Sequence, residues 1–188
     1  MNAIHNRICS SQWWARRVEN ELLPWGLRDV ELGEDVLEIG PGFGATTRLL
    51  ASRVARLAVL ELDEEYCRRL RAGLGDAVSI TQGNATALPY EDGRFSAVVC
   101  FTMLHHIPVA EQQDKALAEA ARVLAPGGVL AGTDSVGTGW LFKLIHIGDT
   151  LLPIDPEELP RRLTNAGLVE PRVERSNGSF RFRARKQA

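Results

Sequence analysis

Short apolar runs alternate with segments of helical periodicity along most of the chain. Apolar runs bounded by Gly, Pro, Asn or Asp are typical of buried strands, and apolar residues three and four positions apart are typical of helices that cover a sheet. The alternation predicts an α/β fold, with a mostly parallel sheet and helices on both of its faces. Strands are predicted at 36–39, 57–60, 78–81, 95–101, 129–133, 169–174 and 179–185, and helices at 10–23, 44–53, 64–72, 111–124 and 156–166.

The dipeptide Asn177-Gly178 lies between the last two predicted strands. It favours a tight hairpin turn, because both residues adopt positive φ readily. The chain is therefore predicted to end in an antiparallel pair of strands. A dinucleotide-binding domain differs here, because it continues with parallel strands.

A glycine-rich turn joins the first predicted strand to the helix after it. Gly40, Gly42 and Gly44 directly follow the buried run 36–39. Glycine permits positive φ and lets a ligand approach the main chain without a Cβ in the way. Two ligand classes fit such a turn: a dinucleotide, whose pyrophosphate binds at the helix N-terminus, and S-adenosylmethionine. Glu38 favours the second class, because a carboxylate attracts a cation and repels a pyrophosphate.

The pattern Glu38-x-Gly40-x-Gly42-x-Gly44 resembles the first motif of the class I S-adenosylmethionine-dependent methyltransferases. The stretch 124–130 is similar to the helix–turn–strand signature that precedes the fifth strand of that family. The resemblance covers about 36–185. It implies a doubly wound, Rossmann-like α/β fold with a mostly parallel seven-stranded sheet, in which the antiparallel C-terminal strand lies beside the fifth.

The resemblance also implies where S-adenosylmethionine binds. Glu61 ends the second strand, where an acid accepts hydrogen bonds from ribose hydroxyls in either ligand class, although it is equally placed to cap the next helix. Asn84 stands where the family usually has an Asp that accepts a hydrogen bond from the adenine amino group. Its amide oxygen is still an acceptor, and a simple turn residue is the alternative. The implied cofactor-binding residues are Glu38, Gly40, Pro41, Gly42, Gly44, Glu61, Leu62, Asn84, Ala85 and Thr102.

Two further residues are candidates for acid–base chemistry. The segment 100–108 carries Leu-His-His, which is common in the branch of the family that methylates small molecules, and it lacks the Asn/Asp-Pro-Pro-Tyr/Phe motif of enzymes that methylate exocyclic base nitrogens. His105 is a candidate catalytic base, and Asp134, at the end of the fifth strand, is the second candidate. Packing by His105 and loop capping by Asp134 are the alternatives. No cysteine pair has the spacing of metal ligands, so no metal is predicted.

Bulky apolar residues concentrate between 134 and 154, directly after the fifth strand. Only this segment and the chain before the first strand are left to cover the methyl group of the cofactor. We therefore predict that 134–154 forms the acceptor pocket and that the leading segment 1–30 caps it. Apolar walls favour a small, apolar acceptor, although plain core packing explains the same residues.

The composition limits the choice of partners. The 188 residues carry a net charge of −2, which predicts one domain and no attraction to nucleic acid or to an acidic membrane. The three cysteines lie far apart, and no apolar stretch is long enough for a membrane span or a secretory signal. We expect a single domain over 1–188, a cytoplasmic location and a small-molecule partner, with the oligomeric state left open.

Together these patterns predict methyl transfer from S-adenosylmethionine to a small, apolar metabolite. Two alternatives stay open. One is an NAD(P)-dependent oxidoreductase, because the glycine turn also fits a loose dinucleotide fingerprint. The other is a catalytically inactive protein that only binds the cofactor. The sequence does not determine the acceptor, the attacked atom or the need for a general base.

Overall fold

The protein contains a seven-stranded sheet in the computed structural model, which describes residues 3–137 and 151–188. The spatial order of the strands is β3-β2-β1-β4-β5-β7-β6. The first five are mutually parallel, and β7 is antiparallel to both of its neighbours. The predicted fold class is therefore confirmed. The strands are β1 (Asp35–Ile39), β2 (Arg56–Glu61), β3 (Ser79–Gln82), β4 (Phe95–Phe101), β5 (Leu124–Ser135), β6 (Leu168–Ser176) and β7 (Ser179–Lys186).

Helices cover both faces of this sheet. The leading helical segment begins at Ser11, whose hydroxyl accepts a hydrogen bond from the Trp14 main-chain N–H at 3.2 Å. It continues to Gly26 through a π-helical turn at Val18–Leu22. The α-helices are α1 (Ala3–Cys9), α2 (Gln12–Arg17), α3 (Leu23–Gly26), α4 (Ala45–Ala51), α5 (Glu64–Leu74), α6 (Ala110–Val123) and α7 (Leu159–Asn165).

The sheet divides the core into two layers, because successive side chains of a strand point to opposite faces. In β4, Val98 and Cys100 pack against α6 and α7, and Val99 and Phe101 pack against the leading helices and α4. Both layers consist of fully buried aliphatic and aromatic side chains, so the sheet is a rigid base for the loops at its edges.

The hairpin at the end of the chain matches the sequence prediction. Asn177 and Gly178 have φ of 45° and 79°, as a tight turn between twisted strands requires. In β7, Phe180 and Phe182 are buried in one layer, whereas Arg181 points to the other. The Arg181 guanidinium donates to the main-chain carbonyls of Trp25 and Arg28, at 3.2 and 3.0 Å, so it anchors the end of the leading helical segment.

The structure corrects the predicted secondary structure at several places. Strand β5 begins at Leu124 instead of 129, because the chain pairs with Phe95 and then passes a β-bulge before regular pairing resumes at Val129. Helix α7 is shorter than predicted and begins at Leu159. Helix α1 was not predicted.

Candidate cofactor and acceptor site

The predicted site residues gather at the edge of the sheet where the parallel strands have their carboxyl ends, which is where open α/β sheets bind ligands. Each strand contributes one part of this edge, and main-chain hydrogen bonds join the loops: Gly40 N–H donates to the Leu60 carbonyl at 2.8 Å, and Gly83 N–H donates to the Glu61 carbonyl at 2.9 Å. The residues at or just beyond the strand ends are Glu38 and Gly40 of β1, Glu61 of β2, Asn84 after β3, Thr102 after β4 and Asp134 of β5.

The glycine turn has three residues with positive φ, which are Gly40 (66°), Gly42 (55°) and Gly44 (74°). They serve different purposes. A Cβ at Gly40 would collide with the Met103 side chain, and one at Gly44 would collide with Leu70, so these two positions are closed by packing. A Cβ at Gly42 would meet no atom of the described residues within 4 Å. Gly42 is therefore the glycine that leaves open space beside the main chain.

Glu61 links the second strand to this turn. Its side chain is buried, and one carboxylate oxygen accepts a hydrogen bond from Gly42 N–H at 3.0 Å. The other oxygen accepts one from Asp63 N–H, also at 3.0 Å. The N-terminus of α5 is capped by Asp63, which accepts from Glu65 N–H at 2.7 Å. Glu61 is thus not the helix cap that the sequence left as an alternative, and it lies directly beside the open glycine.

Leu62 and Ala85 lie on the side of the site formed by the ends of β2 and β3. Leu62 exposes 66 % of its surface although it follows a buried strand directly, and Ala85 is half-buried. An exposed leucine at this position offers an apolar surface to a flat ring. The loop that carries Ala85 is held by helix α6, because Arg122 donates to the carbonyls of Leu88 and Tyr90 at 3.0 and 2.8 Å.

Thr102 leaves β4 with φ of 50°, which is unusual for a β-branched residue. Its main-chain N–H donates to the Thr133 carbonyl at 2.7 Å, so the neighbouring strand holds this conformation. Backbone strain of this kind concentrates at ligand sites. The chain then turns through a short 3-10 helix at Leu104–His106.

Glu38 is buried beneath the glycine turn, with 1 % of its surface exposed. One carboxylate oxygen accepts a hydrogen bond from the Thr46 hydroxyl in the first turn of α4, and the other oxygen has no partner among the described residues. Burial raises the pKa of Glu38 to about 7, and the nearby hydroxyls of Thr46 and Thr47 are the main groups that oppose this rise. A buried carboxylate with an unused oxygen suits a ligand that carries a positive charge.

Compared with the wild type, Glu38→Gln is expected to raise the free energy of unfolding of the ligand-free protein more at pH 8 than at pH 5. The folded protein holds a proton on Glu38 between pH 4.5 and about 7, where the unfolded chain releases it, so wild-type stability falls as the pH rises through this window. The loss amounts to about 3 kcal/mol on the scale of about 1.4 kcal/mol per pKa unit, and the glutamine variant does not have it. Urea unfolding at both pH values measures the difference. Glu31→Gln, at an exposed position, should behave like the wild type, and equal pH dependence in all three proteins would contradict the prediction.

His105 and Asp134 form a buried pair at the ends of β4 and β5, with 3 % and 0 % of their side chains exposed. One Asp134 oxygen lies within hydrogen-bond distance of His105 Nδ1 and accepts from Ser135 N–H at 2.7 Å. The other accepts from the main-chain N–H of His105 at 3.2 Å. Asp134 thus fixes both the main chain and the ring of His105 at the end of β4.

Gln113 is a site residue that the sequence analysis missed. Its side-chain amide is buried and donates to the carbonyls of Leu104, Ile107 and Leu152, at 3.1, 3.2 and 2.8 Å, while its oxygen accepts from Arg162 at 3.0 Å. It therefore ties the turn that carries the histidines to the chain that returns after residue 150. The signal was a single polar residue on the apolar stripe of a predicted helix.

Tyr66 of helix α5 connects the glycine turn to the leading segment. The rings of Phe43 and Tyr66 lie 5.0 Å apart, and the Tyr66 hydroxyl donates to the Asn6 side chain at 2.8 Å. Burial, helped by the acids Asp63 and Glu61, raises the pKa of Tyr66 to about 12, so the phenol remains a donor. Asn6 of helix α1 is thereby linked through Tyr66 of α5 to Phe43 in the glycine turn.

Part of the predicted acceptor pocket lies outside the described residues, namely 138–150 of the segment 134–154. In the described part of the chain, no three histidine, cysteine, aspartate or glutamate side chains are arranged to hold a metal ion. No described helix has the length and apolarity that crossing a membrane requires.

Residues 37–132, about half of the chain, match the family described as "Methyltransferase domain". The chain belongs to the class I S-adenosylmethionine-dependent methyltransferases. This membership, with the antiparallel strand beside β5, decides against the dinucleotide-dependent oxidoreductase and for an enzyme whose cofactor is S-adenosylmethionine.

Three of the curated relatives that match this chain have names that give different acceptors or none. The methyltransferase GfsG of Streptomyces halstedii is 34% identical over 119 residues, covering 60% of this chain and 42% of the relative. The fatty-acid O-methyltransferase of Mycolicibacterium smegmatis is 38% identical over 112 residues, covering 57% and 39%. The ribosomal RNA small subunit methyltransferase A of Leptothrix cholodnii is 30% identical over 159 residues, covering 74% and 58%. The chain therefore spans between two and three fifths of the length of these relatives.

Two solved structures share the fold. A SAM-dependent methyltransferase of Thermotoga maritima superimposes with a TM-score of 0.77 at 18% identity, and 98% of each chain is covered. The methyltransferase CalH, solved in complex with SAH, gives a TM-score of 0.68 at 19% identity, covering 82% of this chain and 51% of the other. The residues of the present site fit S-adenosylmethionine: Gly42 leaves open space, Glu38 has an unused carboxylate oxygen, and Leu62 exposes an apolar surface.

Proposed function

We propose that this methyltransferase transfers a methyl group from S-adenosylmethionine to a small, apolar metabolite. The observation that carries the proposal is the buried His105–Asp134 pair at the carboxyl edge of the sheet. The apolar side chains of Met103, Ile107 and Val136, which follow the same two strand ends, are partly buried against the core. Apolar surface beside a buried polar pair suits a small, apolar acceptor with one polar group.

The hydrogen bonds of the C-terminal arginines also favour a small acceptor over a nucleic acid. Arg181, Arg183 and Arg185 alternate along β7 and resemble a basic stripe in sequence. In the structure each donates to main-chain carbonyls of this chain, Arg183 to Asp29 at 2.5 Å and Arg185 to Gly127 at 3.1 Å. Their hydrogen bonds therefore serve the fold, whereas a nucleic-acid surface offers its cations to phosphates.

The roles of the site residues follow from their positions. Glu61 would hold the ribose hydroxyls, because its carboxylate already lies against Gly42 N–H. Leu62 would lie against the base, and Glu38 would neutralise the positive charge that lies near the turn. When bound, the cofactor supplies a strongly electrophilic methyl group on its sulfonium. The protein's task is then to orient the acceptor, and His105, held by Asp134, would take the proton from an acceptor hydroxyl or carboxyl group.

Two further features bear on the proposal. The fatty-acid O-methyltransferase of Mycolicibacterium smegmatis has an apolar acceptor with an acidic oxygen, which agrees with this chemistry. Cys67 and Cys100 are buried free thiols, which supports a reducing compartment such as the cytoplasm as the place of the reaction.

The proposal is tested by supplying methyl-labelled S-adenosylmethionine together with a metabolite extract, and separately with total RNA. We expect the label in a product of low molecular mass that partitions into an organic solvent, and mass spectrometry then identifies it. Gly42→Val protein, which should not bind the cofactor, is the control for carry-over of label. Label in RNA, with none in the organic phase, would replace the small acceptor with a nucleic acid, which is the acceptor named for the Leptothrix cholodnii relative.

A further inference from the structure

The side-chain amide of Asn84 has a defined orientation. Its oxygen lies 2.9 Å from the main-chain N–H of Thr86 and 3.0 Å from the Thr86 hydroxyl. A main-chain N–H is always a donor, so the atom that faces it must be the acceptor oxygen and not the amide nitrogen. The amide NH2 group of Asn84 therefore points away from its own loop.

The loop around Asn84 holds this orientation. Ala87 N–H donates to the Asn84 carbonyl at 3.0 Å and closes the turn. Further along, Glu119 accepts from Leu88 N–H at 2.7 Å, and Arg122 binds the Leu88 carbonyl from the same helix. Reversing the amide of Asn84 would bring its NH2 group against the Thr86 main-chain N–H and lose that hydrogen bond, so the exposed side chain offers the ligand a donor.

We infer that Asn84 makes the base site of this enzyme indifferent to the 6-amino group of adenine. The inference rests on the proposed placement of the base beside Asn84. An aspartate here has a second carboxylate oxygen that accepts from the amino group, whereas the NH2 group of Asn84 only donates. A donor pairs with an unprotonated ring nitrogen of a purine. Recognition thus depends on the ring, and the amino group finds no acceptor in this residue.

The test is a calorimetric titration with two ligands, S-adenosylhomocysteine and its purine-riboside analogue, which lacks the 6-amino group. The wild-type protein is expected to bind both with dissociation constants within about threefold of each other. Asn84→Asp supplies an acceptor, and a hydrogen bond to a charged group is worth at least about tenfold in affinity. We therefore expect the variant to favour S-adenosylhomocysteine over the analogue at least tenfold.

Two control variants isolate the effect. Asn177→Asp makes the same change of charge in the hairpin turn and should leave the ratio of the two dissociation constants at the wild-type value. Thr86→Val removes the hydroxyl but keeps the main-chain N–H that orients Asn84, so its ratio should also stay near one.

The remaining outcomes decide against the inference. If the wild-type protein prefers S-adenosylhomocysteine over the analogue by more than tenfold, it recognises the 6-amino group, and the inference is overturned. An unchanged ratio in Asn84→Asp means that the base lies elsewhere, and it overturns both the inference and the placement of adenine. If the wild type binds neither ligand, the proposal that this site binds S-adenosylmethionine is itself wrong. These failures are distinguishable, because only the last abolishes binding.

Discussion

Gly42→Val is expected to abolish S-adenosylmethionine binding, with an affinity loss of more than a hundredfold, in a protein that still folds. Gly42 has φ of 55°, its N–H donates to Glu61, and the space where a Cβ would lie is open. A branched side chain would fill the space in which the cofactor approaches the main chain. The strained φ costs about 1–3 kcal/mol, which is less than the stability of an ordinary domain, about 5–15 kcal/mol. Calorimetric titration and urea unfolding on one sample measure both effects.

Gly75→Val is the matched control for this variant. Gly75 ends helix α5 with φ of 56°, and a Cβ there would also meet no atom within 4 Å. Both substitutions put a branched side chain at positive φ with no described atom near the new Cβ, but only one lies at the proposed site. A folded Gly75→Val protein that keeps wild-type affinity, with binding lost only in Gly42→Val, supports the assignment. Wild-type affinity in a folded Gly42→Val protein would refute it.

His105→Gln is expected to lower kcat about a hundredfold with little change in cofactor affinity, since a positioned general base contributes about 10²–10⁴. Asp134→Asn should have a similar effect through a different route. Its amide offers one acceptor where the carboxylate serves His105 Nδ1 and two main-chain N–H groups, so the imidazole loses its orientation and its tautomer. The measurement is the rate with the acceptor found by labelling, at several pH values, beside calorimetry with S-adenosylhomocysteine.

The pH profile separates a base from a packing residue. If His105 removes a proton, the rise of kcat on the acid side of the profile disappears in His105→Gln, whereas a packing defect lowers the whole profile without changing its shape. His106→Gln is the control, because its ring lies 4.2 Å from that of His105 within the same turn. A normal profile in His105→Gln together with an altered one in His106→Gln would move the assignment to the neighbouring histidine.

Local patterns were enough to predict most of the fold. Strand β4 has the predicted boundaries, β1 differs by one residue at one end, and β2 and β3 differ by one residue at each end. The agreement is close because a buried parallel strand is a continuous apolar run with turn residues on both sides. The hairpin was predicted from Asn177-Gly178 for a similar reason, since few dipeptides adopt the two positive φ values that it needs.

Boundaries that depend on partners were predicted less well. Strand β5 extends back to Leu124 across a proline and two glycines, residues that locally indicate a turn. It does so because Phe95 on the neighbouring strand is available for pairing. Propensity reports only on the segment itself, so tertiary pairing overrides it at such positions.

The family, its cofactor and the glycine turn were determined by the sequence alone, because they depend on residue types at fixed spacing along the chain. The different roles of the three glycines within the turn were not determined by the sequence. Gly42 is the open glycine, and Gly40 is closed by Met103, which lies in another loop. Likewise, the pairing of His105 with Asp134 joins two strand ends that are distant in sequence.

Asn84 shows, at a single residue, the difference between what the sequence determines and what the tertiary structure determines. Its place after the third strand identified it as a base-site candidate, but the sequence left its amide oxygen available for adenine. The structure uses that oxygen for Thr86 and turns the donor outward. Which residues occur at the site follows from local sequence, whereas which atoms face a ligand depends on hydrogen bonds that only the folded loops bring together.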